Sequence, residues 1–317
     1  MEELRNIPLD WNMILDKQIK LMEESTGNKK SSELFAPLID MLNNNIIPSK
    51  VILNKGIAKC YGYMVPNIGI DDRILGSIGF LDQSYENDKN VEILLSWFME
   101  FSRSNRMLLI IDGVYGSKNF EKYALNKGFK ISVRRKLVST LSELERRFQE
   151  LNVDEPENYG LLLKNSEISL DELCEIEEKS YGLSEDRFLL IRKGDKNVTA
   201  EIIMNGFYGK ILDNASFNLH RKKIIGSIQV TDGYTELFRM GTPLVVDLFV
   251  APDESRKGLA SALFKKAVGR LISSNFTEVQ LWVNVNSEAY KFYEKLGFQS
   301  AGEEDVMYHI DFRAHIS

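Results

Sequence analysis

The stretch from Val246 to Leu263 gathers residue types able to hold a phosphate-bearing molecule. It reads Val246-Asp247-Leu248-Phe249-Val250-Ala251-Pro252-Asp253-Glu254-Ser255-Arg256-Lys257-Gly258-Leu259-Ala260-Ser261-Ala262-Leu263. An apolar strand enters a short loop holding a proline, two adjacent cations and a glycine, and the loop opens into a helix. The first N–H groups of a helix have no intrahelical partner, and the helix dipole places partial positive charge there. Gly258 removes the Cβ that would keep a ligand off the backbone, Ala260 keeps the first turn small, and Arg256 and Lys257 add charge. The loop therefore suits a di- or polyphosphate. Its glycines follow neither GxGxxG nor the Walker pattern, which disfavours NAD and ATP. The bland alternative is an ordinary polar strand-to-helix connection. Inside the strand, Asp247 is an acid among apolar residues, costly unless paired or functional. Alternation sets it opposite Val246, Leu248 and Val250.

The elements that position this loop recur. Asn286-Ser287-Glu288-Ala289-Tyr290-Lys291-Phe292-Tyr293-Glu294-Lys295-Leu296-Gly297-Phe298 has a counterpart in Ser117-Lys118-Asn119-Phe120-Glu121-Lys122-Tyr123-Ala124-Leu125-Asn126-Lys127-Gly128-Phe129. Each ends in a Gly-Phe that reads as a helix terminus followed by a strand. Gly128 and Gly297 are 169 residues apart, and that offset, with a slip of about one residue, aligns other segments. Leu75–Gln83 matches Leu244–Pro252 as strand and turn. Asn90–Phe101 matches Gly258–Leu271 as helix, and Leu108–Asp112 matches Glu278–Val283 as strand. Further upstream, at an offset of 165, Cys60–Val65 resembles Ile225–Val230 as a glycine-interrupted strand. Two copies of one α/β unit are expected, with mixed sheets flanked by helices. Polar Gln149–Tyr159 is the expected boundary and Leu141–Phe148 a connecting helix. Helical lead-ins are expected at Asp10–Glu24 and Ser32–Asn43 for the first copy and Ser169–Tyr181 for the second, where Ser169 and Glu172 form a capping-box pattern.

With 317 residues, 44% of them hydrophobic and 27% charged, the chain has the composition of an ordinary globular protein of about two domains. No stretch approaches the ~20 apolar residues of a membrane span. Met1–Arg5 lacks the apolar core of a secretory signal, so a cytoplasmic protein is expected. Cys60 and Cys174 form no CxxC pair, and His220, His309 and His315 lack metal-site spacing, so neither a disulfide framework nor a metal is expected. The formal net charge of -6 disfavours nucleic acid as a partner. The charge is uneven: residues 1–150 carry 21 Lys/Arg against 20 Asp/Glu, residues 151–317 carry 19 against 26. An acidic half attracts cationic substrates, although a solvated acidic surface explains it as well.

Strand, Val-x-Pro, basic Gly-x-Ala turn, helix, strand and then Asn286-x-x-Ala289-x-x-Phe292-Tyr293-Glu294-Lys295-Leu296-Gly297-Phe298 resembles the GNAT superfamily of N-acetyltransferases. The resemblance covers residues 160–312 and is strongest over 244–298. It implies an α/β (α+β) fold with two tandem GNAT-like domains, each a mixed, mostly antiparallel sheet flanked by helices: a degenerate domain over 1–148, a linker over 149–159 and a catalytic domain over 160–317. It further implies that Arg256, Lys257, Gly258, Leu259, Ala260 and Ser261 hold the pyrophosphate of acetyl-CoA. Ser255 stands where the family usually has Arg or Gln. Pantetheine is expected along Leu248, Phe249 and Val250, in a gap where two parallel strands splay, with a backbone N–H near Val250 polarising the thioester carbonyl. Asn286 matches the asparagine that contacts CoA or caps the next helix. Tyr293 matches the tyrosine that protonates the leaving thiolate, with packing in the core as its alternative role. Asp247 is the first candidate for general base or ammonium site, with Asp232, Glu236 and Asn284 behind it.

Under the 169-residue offset, Gly258 becomes Lys89, Ala260 becomes Val91 and Tyr293 becomes Ala124, while Asp82, Glu86 and Asp88 oppose an anion. The first copy is thus expected to have kept the fold and lost the site. The expected activity is transfer of an acetyl group from acetyl-CoA to a primary amine by direct attack in a ternary complex, by a monomer or homodimer, with no metal, nucleic acid or membrane involved. The alternatives are an acyl-CoA-binding sensor without turnover and a purely structural tandem protein. Acceptor specificity is expected from Tyr181–Asp213 and Thr231–Gly241.

Overall fold

A computed structural model describes residues 10–26, 31–66, 72–181, 208–233 and 241–313. By its contacts the chain divides into two compact units, Met1–Ser132 with Val306–Ser317, and Val133–Asp305.

The first unit begins with helices α1 (Trp11–Thr26) and α2 (Ser31–Asn43). Strands β1 (Ser49–Asn54), β2 (Ile57–Pro66) and β3 (Arg73–Phe80) follow, then α3 (Asp88–Ser104), β4 (Leu108–Tyr115) and α4 (Phe120–Asn126). The chain leaves this unit within β5 (Lys130–Thr140) and returns within β11 (Gln299–Asp311). Its strand order is β1-β2-β3-β4-β11, antiparallel except for β3 and β4. Trp11, Leu15 and Leu42 of α1 and α2 pack with Val51, Tyr61 and Tyr63 on one face. Leu94, Leu95 and Phe98 of α3 pack with Ile78 and Ile111 on the other.

The second unit holds the remainder of β5, α5 (Leu141–Glu150), β6 (Leu161–Leu163), α6 (Leu170–Tyr181), β7 (Phe217–His220), β8 (Ile224–Thr231), β9 (Leu244–Val250), α7 (Leu259–Ser273), β10 (Glu278–Asn284) and α8 (Glu288–Lys295). Its order is β11-β5-β10-β9-β8-β7-β6, and β9–β10 is its parallel pair. Leu263, Phe264, Ala267 and Leu271 of α7 form the centre of its core with Ile228, Leu281 and Tyr293. Leu173, Cys174 and Ile176 of α6 pack on the opposite face with Ile224 and Phe249.

The duplicated motif has the same ending in both units. Phe129 N–H donates to Ala124 O (3.1 Å) and Gly128 N–H to Leu125 O (3.0 Å); Phe298 N–H donates to Tyr293 O (3.1 Å) and Gly297 N–H to Glu294 O (2.9 Å). Both are Schellman motifs, and they need the left-handed backbone that Gly128 (φ 82°) and Gly297 (φ 95°) supply. The expected strand–helix–strand–helix–strand series appears as β3-α3-β4-α4-β5 and as β9-α7-β10-α8-β11.

By contacts the units divide at Ser132/Val133 and Asp305/Val306 rather than within 149–159. That stretch belongs to the second unit, where Lys265 Nζ donates to Val153 O (2.8 Å) and pairs with Glu155, and Lys266 pairs with Glu157. Strand pairing moves the division. Arg134–Thr140 pairs with β10, while β11 ends beside β4, from Tyr308↔Ile111 to Asp311↔Leu108. Each unit's sheet is therefore completed by the closing strand of the other repeat. A local expectation also shifts: Glu172, placed in a capping box by its spacing, accepts from Ile224 N–H (2.8 Å) and ties α6 to β8.

Candidate active site

β9 and β10 pair only at Gln280↔Leu244 and Leu281↔Val245. Beyond that register they part, and a cleft of about 560 Å³ opens between them. A bulge accompanies the parting. Gln229 faces Asp247 and Val230 faces Val245, leaving Val246 as the extra residue of β9. The bulge breaks the alternation expected of this strand. Leu248 and Val250 pack toward α7, and Phe249 toward α6. Val246 joins Leu244 and Trp282 in a separate cluster rather than lying with Leu248.

The mouth of the cleft is the loop from Ala251 to Gly258. Pro252–Glu254 form one 3₁₀ turn, Arg256 takes a left-handed backbone (φ 61°), and Gly258 (φ 81°, ψ 0°) is the N-cap of α7 with no side-chain hydrogen bond capping it. The first-turn N–H groups of α7 are thus left for a ligand, in the part of a helix where an anion is stabilised. Arg256, Gly258, Leu259, Ala260 and Ser261 line the cleft, as do Leu248, Phe249 and Val250 along its β9 wall. The Arg256 charge reaches α8: together with a stronger hydrogen bond from Lys291 it holds the Glu288 carboxyl below the usual carboxylate range.

Two expected ligand-binding residues stand apart. Lys257 is outside the cleft lining; its ammonium pairs with Glu254 (3.0 Å) and donates to Asp253 O. Asn286 is exposed and also outside the lining. The helix cap expected of it is Ser287, whose Oγ accepts from Tyr290 N–H (3.2 Å) and which does line the cleft.

Both candidate catalytic groups reach the cleft. Asp247 is 6% exposed, and its Oδ1 accepts from the Tyr181 hydroxyl at 2.6 Å. Tyr293 is buried, with Phe292, Phe264 and Phe298 edge-on at 5.1, 6.2 and 5.6 Å between ring centroids. Packing and proximity to the cleft hold together for this residue. Asn284 is buried behind the splay and accepts from Asn286 N–H. Asp232 accepts from Lys210 N–H. Glu236, His315 and most of the two expected specificity segments lie outside the described residues.

Sequence reasoning gave no role to Trp282, Glu254 and Arg134, and placed Tyr181 only at the start of an expected specificity segment; all four line the cleft. Arg134 enters from β5 and donates from Nη2 to Trp282 O (2.8 Å). Glu254 pairs with Arg221 and Lys257 at the loop. Arg134, Trp282 and Tyr181 are brought in by contacts across long sequence separations, which no local signal marks; Glu254 lies within the loop itself.

The first unit has the same elements in a closed form. β3 and β4 stay paired from Arg73↔Leu108 to Gly79↔Tyr115, so the parallel strands do not splay there. The N-terminus of α3 is capped by its own chain, Asn87 Oδ1 accepting from Asn90 N–H (3.1 Å). Glu86 spans from the loop before α3 to the loop before α4, accepting from Lys118 N–H (2.8 Å) and Asn119 N–H (2.6 Å). Among the described residues, no group of three or more His, Cys, Asp or Glu is placed to hold a metal, and no helix is long and apolar enough to cross a membrane.

Comparison with known proteins places this geometry. The acetyltransferase (GNAT) domain family matches residues 202–314. Across nearly its whole length the chain is similar in structure to a GCN5-related N-acetyltransferase from Sphaerobacter thermophilus, at 14% identity, with 99% of each chain covered and a TM-score of 0.54. It is also similar to the GCN5-related glucosamine N-acetyltransferase region of a fungal multi-domain GH3 β-N-acetylglucosaminidase, at 13% identity and a TM-score of 0.53, over 94% of this chain and 37% of that one. A probable N-acyltransferase from Enterococcus faecalis V583 matches at 10% identity and a TM-score of 0.50, over 95% and 70% of the two chains. At these identities the likeness is one of fold. No curated protein matches the sequence.

Proposed function

We propose that the protein, whose residues 202–314 match the acetyltransferase (GNAT) domain family, is an acyl-CoA-dependent N-acyltransferase, acetyl-CoA being the donor and a primary amine the acceptor. The observation that carries this reading is the bare N-terminus of α7 at the mouth of the β9–β10 cleft. The residues fit the donor: Gly258 leaves the backbone open, Ala260 leaves room, and Arg256 supplies a cation for the diphosphate. Lys257 lies at the edge of this site, held by Glu254. Acetyl-CoA supplies an activated thioester, and the side chains do the rest.

The amine arrives as an ammonium and must lose a proton to attack. Asp247, fixed by the Tyr181 hydroxyl, takes that proton. A backbone N–H near Val250 donates to the carbonyl oxygen as negative charge develops there; one such donor is typically worth about 2.7–4 kcal/mol. A C–N bond forms and the C–S bond breaks. Tyr293 protonates the departing sulfur and regains its proton from the attacking nitrogen through solvent, so amide, free CoA thiol and one net proton are released. No cysteine lines the cleft, which favours direct attack over an acetylated thiol. The first unit has the same elements with strands paired and helix N-terminus capped, and serves as a scaffold without a donor site.

The test is thiol release from acetyl-CoA over a panel of amines, alongside thermal unfolding with acetyl-CoA. A rise in melting temperature with turnover is expected. Asp247→Asn should keep the rise and lower kcat/KM by about 10²–10⁴-fold. An unchanged melt at millimolar acetyl-CoA refutes the donor assignment, and binding without turnover of any amine leaves a CoA-binding protein instead.

A further inference from the structure

The acceptor side of the cleft can be identified from which residues share a sheet face. On β5, Arg135 bonds to Tyr290 of α8 (3.0 Å) and Leu137 lies in the core with α7. Arg134, between strand neighbours of that register, belongs to the opposite face. On β10, Leu281 and Val283 join the α7 core, while Trp282 packs with Leu244 and Val246 on the other side. On β9, Phe249 packs against α6, and Asp247 bonds to Tyr181 at the end of α6. Asp247, Trp282, Arg134 and Tyr181 therefore lie on the α6 face of the sheet. The helix N-terminus that suits a diphosphate belongs to α7, on the opposite face.

These four groups line one cleft, at the level where the parallel strands part. The last paired register of the parallel strands is Leu281↔Val245. Trp282 is the first residue past it on β10, and Asp247 lies two residues past it on β9. The Arg134 guanidinium is anchored at Trp282 O (2.8 Å). The apex of the splay thus has a carboxylate from one wall and a guanidinium from the other, with an indole beside them. An acceptor with ammonium charge alone pairs with Asp247 and is opposed by Arg134. One that also carries an oxyanion pairs with both. A planar guanidinium already held at one nitrogen loses little freedom on binding an oxyanion, and the unfavourable pairing with a simple cation adds discrimination.

We propose that the acceptor is a primary amine bearing its own anionic group, a carboxylate or phosphate, and that Arg134 is the residue that selects it. The proposal rests on the reading of the cleft as an acyl-transfer site. The full-length chain is assayed for thiol release with matched acceptors. Phenylalanine against phenethylamine tests the carboxylate, and phosphoethanolamine against ethanolamine tests the phosphate. The anionic member of at least one pair should have the higher kcat/KM. Arg134→Gln should lower kcat/KM for that member about 10- to 100-fold, mainly through KM, and leave the neutral member within a few-fold. Arg134→Lys should restore part of the loss. The melting shift with acetyl-CoA should persist in both variants, which shows that the fold and donor site are intact. Preference for the neutral members, an equal loss for both members in Arg134→Gln, or acetyl-CoA binding with no turnover of any anionic member overturns the proposal. Absence of the acetyl-CoA shift in the unsubstituted protein overturns the donor reading itself.

Discussion

Gly258 allows backbone strain and ligand binding to be separated by substitution. Its φ of 81° lies in the left-handed region, and the nearest atom to an added Cβ is the Tyr159 hydroxyl at 3.3 Å, itself held by Asp154 (3.0 Å). That hydroxyl needs to give by only a few tenths of an ångström, so the cost of Gly258→Ala is mainly the backbone's. A left-handed non-glycine residue costs roughly 1–2 kcal/mol. In a unit of this size each kcal/mol lowers the melting temperature by roughly 2–4 °C, so a fall of about 2–8 °C is expected. The first-turn N–H groups keep their direction, but the added Cβ stands where the ligand approaches the backbone, so acetyl-CoA should raise the melting temperature of Gly258→Ala by less than that of the unsubstituted protein. Gly258→Glu adds a carboxylate where the diphosphate sits and should abolish the rise. Gly128→Ala is the control: it has the same left-handed backbone (φ 82°) and open space around the Cβ. It should cost a similar amount and leave the ligand response unchanged. Two results would refute the reasoning: no loss of stability in Gly258→Ala, or normal acetyl-CoA binding by Gly258→Glu.

Tyr293→Phe retains the ring contacts to Phe264, Phe292 and Phe298; kcat should fall about 100-fold or more with the acetyl-CoA melting shift preserved, measured by thiol release. Glu254→Gln removes an acid from the cleft and releases Lys257 and Arg221. Acetyl-CoA should then bind about 2- to 5-fold tighter at low salt, an advantage that titration calorimetry should find lost at high salt. Asn87→Ala deletes the cap of α3 and should cost about 0.5–2 kcal/mol by denaturant unfolding, with acetyl-CoA binding and turnover unaffected.

The local signals in the sequence led furthest. The Gly-Phe endings predict two Schellman motifs because the requirement for a left-handed residue is met within six residues of chain. The helix opening at Gly258 is equally local. The bulge at Val246 is not, since it is defined by a shift in pairing with β8 that no residue type in β9 announces. The contacts of Arg134 and Tyr181 were beyond reach for the same reason. One is registered opposite Asn284 and the other bonded to Asp247, and such partners are fixed only when the sheet forms. Asn286 shows the opposite error: the motif pointed to an asparagine, while the smaller Ser287 next to it has the extended backbone (φ -86°, ψ 155°) that an N-cap needs. The matched segments predicted the element order, while the pairing of β5 with β10 and of β11 with β4 was not legible, because similarity along the chain does not reveal which strand pairs with which.

The pairing of β11 with β4 bears on the order in which the chain can mature during synthesis. Ile111 and Tyr308 are roughly 200 residues apart, a separation that makes closure slow compared with local contacts. A growing chain has its first α/β unit ready except for β11, which leaves the ribosome only after β5 to β10 have been made. Until then β4 is an exposed sheet edge able to recruit strands from neighbouring chains. A nascent chain halted before residue 306 would therefore carry an adhesive N-terminal unit, sealed only once β11 pairs with β4.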